Sequence, residues 1–216
     1  MIREFALPDV GFLLLATQWT LLLAATAAIG GGILGLFIAV ARVVPVPPLR
    51  WLAIGYINLI QGTPLLGQLF VFFFGLPLIG LSVDAWTAAA FALSIYASAF
   101  FGEIWRGSLQ SVPQRQWEAG ASLGLTYTQR FRYVVIPQAI RISIPPTVGF
   151  LVQLVKNTSL AALIGFVELT RASQIMTAAT FAPLQVYLVA AGIYFVICFG
   201  LSQMSQVLER RIHVAR

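Results

Sequence analysis

The chain has 216 residues, 59% of them hydrophobic and 9% charged, against roughly 25% charged in an ordinary soluble domain. With a mean hydropathy of +0.90, that composition excludes a water-soluble globular fold and points to a bilayer. The net charge of +6 falls in clusters between apolar runs, which suits headgroups and topology and excludes nucleic acid as a partner.

A helix crosses about 30 Å of hydrocarbon with about 20 apolar residues, and five stretches qualify: 12–41, 52–81, 85 to about 104, about 140–164, and 184–207. The sequence therefore predicts an all-α integral membrane protein of five transmembrane helices, a single domain over 1–216. A cleaved signal peptide is the alternative reading of the first run. That reading suffers from the absence of a positive n-region, since Arg3 stands against Glu4 and Asp9, and from a run far longer than an h-region. In the first span Gly31 and Gly35 form a GxxxG step, widened by Gly30 and Gly32, which predicts close helix packing within the subunit or against another.

The second span is interrupted by Gln61, Gly62, Thr63 and Pro64. Proline removes an N–H and frees a carbonyl of the preceding turn, and broken helices at membrane depth are tolerated where they line a cavity. At the inner end of the third span Glu103 and Arg106, three residues apart, predict a structural ion pair.

Between the third and fourth spans lies a polar, basic stretch, residues 118–139, EAGASLGLTYTQRFRYVVIPQA. Ser111 with Gln114, and Thr126 with Gln129, have capping-box spacing. The first predicts a helix through Trp117, Glu118 and Ala119 that stops near Gly124, where a residue without Cβ takes the left-handed conformation. The second predicts a short helix carrying Arg130, Phe131 and Arg132 toward Pro137. Ala119, Gly120 and Ala121 leave the first helix thin enough for another protein's surface to approach closely. An amphipathic helix resting on the headgroups is the alternative.

The fourth span is interrupted by Lys156, Asn157, Thr158 and Ser159. These residues, with Gln61 and Thr63, either line a cavity or serve as interhelical hydrogen-bond glue, with Lys156 snorkelling to an interface. Glu168 lies just beyond the break. It either pairs with Arg171, three residues on, or meets a substrate ammonium at the outer end of the cavity. In the last span Cys198, the single cysteine, reads as packing or lipid-facing filler and leaves no intrachain disulfide or Cys-based metal site; the single histidine, His213, excludes bis-His metal and haem arrangements.

The basic residues set the topology. Arg42, Arg50, Arg106, Arg115, Arg130, Arg132, Arg141, Arg210, Arg211 and Arg216 fall on one side, and only Arg3 and Arg171 on the other. The positive-inside rule then puts the N-terminus outside, with the C-terminus and the stretch 118–139 in the cytoplasm.

Glu118, Ala119, Gly120, Gly124 and the closing Val134-Val135-Ile136-Pro137 resemble the EAA motif of permease subunits of ATP-binding-cassette (ABC) importers. Gly120 stands for the usual second Ala, and Ile136 for the usual Leu before Pro. QGTPLLGQLFVFFFGLP at 61–77, EIWRGSLQSVP at 103–113 and KNTSLAALIGFVELT at 156–170 extend the similarity to polar amino-acid permeases of the histidine, glutamine and arginine type. The resemblance implies a type I ABC importer permease fold and residence in a bacterial plasma (inner) membrane. In that family the loop at about 111–136 is a coupling helix that docks on an ATPase subunit, which gives Trp117, Glu118, Ala119, Gly120 and Gly124 a coupling role. Gln61, Thr63, Lys156, Asn157, Thr158 and Glu168 become the expected substrate pathway. Implied partners are ABC ATPase subunits, a second permease, identical or similar, and an extracytoplasmic amino-acid-binding protein. The sequence contains no GxxxxGK[ST], so the chain is expected to be no enzyme and to hold no cofactor, with ATP and Mg in the partner. The rival readings are a stand-alone secondary transporter or channel and an intramembrane enzyme. The first usually has more spans and no use for a docking loop, and the second lacks a convergent nucleophile and base.

Overall fold

A computed structural model describes residues 4–214, with side chains through Arg210; Arg3 and Arg216 lie outside the described residues, as do the side chains of Arg211 and His213. Among the described residues every regular element is helical: α1 (Leu7–Val43), α2 (Pro47–Gly62), α3 (Leu65–Phe70), α4 (Leu76–Leu78), α5 (Ala85–Gln110), α6 (Gln114–Ser122), α7 (Tyr127–Arg130), α8 (Ile136–Asn157), α9 (Leu169–Thr180) and α10 (Pro183–Val214). Four helical runs, 7–43, 85–110, 127–164 and 183–210, are long and apolar enough to cross a membrane. The pair Pro47–Gly62 and Leu65–Leu78 makes a fifth span if counted as one, bent by 99°.

The expected close packing of the first span occurs within the subunit. A Cβ at Gly31 would lie 2.5 Å from the Ala97 Cβ and 2.9 Å from the Ser94 carbonyl oxygen, and one at Gly35 would lie 2.8 Å from the Phe101 Cβ. Hydrogen in place of a side chain lets the α1 and α5 backbones touch, and van der Waals contact over that length is what holds helices together in lipid. The main core grows from this seam, with Leu23 and Ala27 of α1 and Ala89 and Leu93 of α5 meeting Leu69, Leu154 and Ala161.

The predicted break at Pro64 is the 99° bend. α2 ends at Gly62, Thr63 is extended, and α3 starts after Pro64. Pro64 cannot donate to the Ile60 carbonyl four residues back, so Gln68 does so in its place: its Nε2 donates to Ile60 O at 2.8 Å and to Thr63 Oγ1 at 2.9 Å. Sequence reasoning passed over Gln68.

Two wide π turns, Val71–Gly75 and Phe131–Val135, stand just ahead of the pairs Leu76–Pro77 and Ile136–Pro137. A proline ring inside a helix crowds the carbonyl four residues back, and a π turn widens the spacing there. This corrects the expected second short helix. α7 does not end before Pro137 but passes through the π turn into α8, so the helical run that holds the fourth apolar stretch begins at Tyr127 rather than near residue 140. The Ser111 capping box is also corrected: Ser111 closes α5, its hydroxyl donating to Ser108 O at 2.9 Å, and Pro113 precedes α6 without a side-chain cap. The Thr126 box forms as expected, Gln129 Oε1 accepting from Thr126 N at 2.9 Å. α9 has no counterpart among the predicted elements. It is a short helix with Leu169, Ala172, Ser173 and Met176 buried along one side, where it meets Leu13 of α1 and Val186 of α10.

Candidate functional site

Two regions carry the chemistry that the sequence singled out. The first is the loop between α5 and α8. α6 stops as expected at Gly124, whose φ is +75°. Gly124 N donates to Ala121 O at 2.9 Å and Leu125 N to Gly120 O at 3.1 Å, the paired bonds of a Schellman stop. α6 is then fastened to the chain beyond it. Trp117 is half-buried and stacked on Tyr127 with ring centroids 5.4 Å apart, and Phe131 lies at 6.2 Å. Arg130 Nη1 donates to Trp117 O at 3.4 Å and Gln138 Nε2 to Gln116 Oε1 at 3.4 Å.

These contacts sort the five expected coupling residues. Trp117 faces inward and acts as the staple between α6 and α7. Gly120 is buried, and a Cβ there would lie 2.9 Å from Arg130 Cγ, so its smallness makes room for the arginine stem inside the loop. That corrects the reading of Ala119, Gly120 and Ala121 as one open face. Glu118, Ala119 and Gly124 are exposed, as are Ser122 and Leu123. Leu123, which sequence reasoning missed, is 79% exposed at the tip of a polar helix. A single leucine among polar neighbours gives no periodic signal, and only the helix stop places it beside Ala119.

The second region is the pair of broken helices, which pack on each other through Leu65 and Leu69 of α3 and Ala161 and Ile164 of the 3₁₀ turn Thr158–Ile164. Gln61 and Thr63 are exposed, with Gln61 Nε2 reaching Ala99 O at 3.5 Å and Thr63 Oγ1 donating to Leu59 O at 2.8 Å. Lys156 is exposed and Asn157 half-buried. Gln153, one turn earlier and missed by sequence reasoning, donates from Nε2 to Asn157 Oδ1 at 3.0 Å. Thr158 is fully buried and donates to Val155 O at 2.7 Å, which makes it part of the helix end and not of an open wall.

Glu168 departs from both of its expected roles. Its side chain is fully buried at the N-terminus of α9. Oε1 accepts from Arg171 N at 2.9 Å, and Oε2 accepts from Tyr194 OH at 2.9 Å and Thr20 Oγ1 at 3.3 Å. The Arg171 guanidinium turns to Gln174 Oε1 at 2.9 Å instead. The carboxyl therefore ties α9 to α1 and α10 and leaves no lone pair facing open space. Burial pushes it above the usual carboxylate range, opposed by the backbone N–H groups of Thr170 and Arg171 and the two hydroxyls. A helix N-terminus favours the negative charge. Glu103 keeps its expected partner: Arg106 Nε donates to both carboxylate oxygens at 2.9 Å, and Arg42 of α1 joins at 3.6 Å.

A family model described as "Binding-protein-dependent transport system inner membrane component" matches residues 31–214. The probable amino-acid ABC transporter permease protein YckA of Bacillus subtilis (strain 168) is 36% identical, over 96% of this chain and 92% of its own length. The L-cystine transport system permease protein TcyB of the same organism is 42% identical, over 90% of this chain and 83% of its own. Among solved structures, an amino acid ABC transporter crystallised with histidines superposes with a TM-score of 0.89 at 36% identity, covering 93% of this chain and 94% of the other.

Proposed function

The chain belongs to the family of binding-protein-dependent transport system inner membrane components, and from that premise we propose that it is the permease subunit of an ATP-driven amino-acid importer, coupled through α6 to a separate ATPase. Its relatives are amino-acid permeases by name, which supports the substrate class. The observation that carries the coupling is the exposed face of α6, with Glu118, Ala119 and Leu123 open to the surface. That helix is held from behind by the Trp117–Tyr127–Phe131 stack.

In this reading the N-terminus lies outside and α6 in the cytoplasm, as the distribution of arginines requires. ATP and Mg belong to the ATPase, a second permease completes the membrane part, and a binding protein delivers substrate from outside. Closure of the ATPase dimer moves α6. Because α6 is joined to α7 and, through Gln116 and Gln138, to α8, the movement passes along α8 to Lys156 and Asn157 at its far end. With Gln153, and with Gln61 and Thr63 at the α2 break, these residues form the polar wall of the pathway. Glu168 positions α9 behind it.

One labelling experiment tests orientation and docking together. Leu123→Cys in a Cys198→Ala background is expected to react with an impermeant maleimide only from the cytoplasmic side, and to become protected when the ATPase subunit is co-expressed. Labelling in intact cells would overturn the orientation; equal labelling with and without the ATPase would overturn docking through α6.

A further inference from the structure

A groove of about 680 Å³ runs between the C-terminal half of α1 and the N-terminal half of α8, over α5. Gly32, Leu36 and Val40 of α1, Trp105 of α5, and Ile136 and Ile140 of α8 are among its lining. Leu36, Val40 and Ile140 are exposed, and Ala39 and Ala139 beside them are buried. All three walls belong to helical runs long and apolar enough to cross a membrane. Only three lining side chains carry a polar atom, and each is already engaged. Trp105 Nε1 donates to Thr147 Oγ1 at 3.1 Å, and Ser143 Oγ donates to Ile140 O at 2.8 Å. A polar occupant would lose its solvation here without finding new partners.

The groove is also too small for a helix. From Ile136 to Val148 the α8 axis rises about 18 Å, and a helix about 10 Å across fills roughly 1,400 Å³ over that length. A hydrocarbon chain fits where a helix does not. One end of the groove is basic: Arg42 stands two residues beyond Val40, Arg132 lies in the π turn ahead of Ile136, and Arg141 follows Ile140. Arg42 is committed to Glu103 at 3.6 Å. Arg132 and Arg141 are exposed and form no salt bridge among the described residues, Arg132 resting over the Tyr133 ring at 5.8 Å. We propose that the groove holds an acyl chain of an anionic phospholipid from the cytoplasmic leaflet, with its headgroup at Arg132 and Arg141. The walls select hydrocarbon, and the two uncommitted arginines select negative charge. The choice of leaflet rests on the orientation given above. Phe131 both lines the groove and stands 6.2 Å from Trp117 in the stack that braces α6, so the bound chain lies against the support of that helix.

The test titrates delipidated full-length permease in mild detergent with phosphatidylglycerol or phosphatidylcholine of identical acyl chains, and native mass spectrometry reads the bound lipid. The wild type is expected to bind one phosphatidylglycerol per chain in preference to phosphatidylcholine. Arg132→Gln with Arg141→Gln is expected to erase that preference, at about fivefold for each arginine. Gly32→Leu is expected to abolish binding of both lipids, since a Cβ at Gly32 meets only Trp105 Cη2, at 3.8 Å, and the rest of the side chain fills the groove. Ser143→Met fills the same space from the opposite wall and replaces Gly32→Leu if that variant does not accumulate. Equal binding of the two lipids by the wild type, or undiminished binding in the filled variants, would overturn the proposal. A doubled permease mass in place of bound lipid, lost on filling the groove, would overturn it in favour of a second copy of the chain. Reversed orientation in the labelling experiment would overturn the leaflet alone.

Discussion

Leu123→Asp is expected to remove the ATPase from the purified complex without affecting the folding of the permease. Leu123 is 79% exposed and follows the last turn of α6, so the substitution breaks no internal contact. In the proposed docking of the ATPase on α6, it removes an apolar anchor. Truncating such an anchor costs about 2 kcal/mol or more, and burying a carboxylate there adds to the loss, so affinity falls by roughly thirtyfold at least. Co-purification of the ATPase on the tagged permease gives the readout, with the size-exclusion profile as the check on folding. Gly120→Trp would be a poorer probe of docking, because a side chain there strikes Arg130 Cγ and disturbs the loop itself. ATPase retained at wild-type stoichiometry on the Leu123→Asp permease would place the docking surface elsewhere.

The second large effect lies at the seam between α1 and α5. Gly31→Val is expected to abolish accumulation of monodisperse permease. Its Cβ would fall 2.9 Å from the Ser94 carbonyl oxygen and 3.1 Å from the Ser98 nitrogen, and backbone atoms cannot turn aside as a flexible side chain can. Overpacking of this kind costs about 1–3 kcal/mol where a core can adjust, and more where two helix backbones must part. Gly55→Val and Gly192→Val are the controls, since a Cβ at either meets nothing within 4 Å. Fluorescence-detected size exclusion across the three variants gives the comparison. Equal losses in all three would show that helix propensity, and not the seam, sets the outcome.

Much of this architecture is written in local chemistry. The apolar runs, the proline that breaks the second span and the glycine that stops α6 each act through their own neighbours, and each appears where the sequence places it. What escaped notice depends on partners distant in sequence or on which side of a helix faces in. Gln68 replaces a donor that Pro64 removed, yet its side chain looks like any polar residue in an apolar run. The two bland or functional roles available to Glu168 were ion pair or ligand. The observed one, a cap tied to Thr20 from 148 residues away, required the fold. Gly120 was legible as small, but whether the space it leaves faces outward or receives Arg130 is decided only by how α7 returns over α6. α9 was hidden because its buried side is mixed in polarity, Ser173 and Ala172 beside Leu169 and Met176.

Uptake into proteoliposomes decides whether this chain passes amino acids across the membrane under the control of a separate ATPase. The direct measurement is uptake of radiolabelled amino acids into proteoliposomes holding the permease with its ATPase, with the binding protein added outside and ATP trapped within. Accumulation that requires ATP, the ATPase and the binding protein together is the predicted result. Accumulation by the permease alone, driven by an imposed ion gradient and indifferent to ATP, would contradict it.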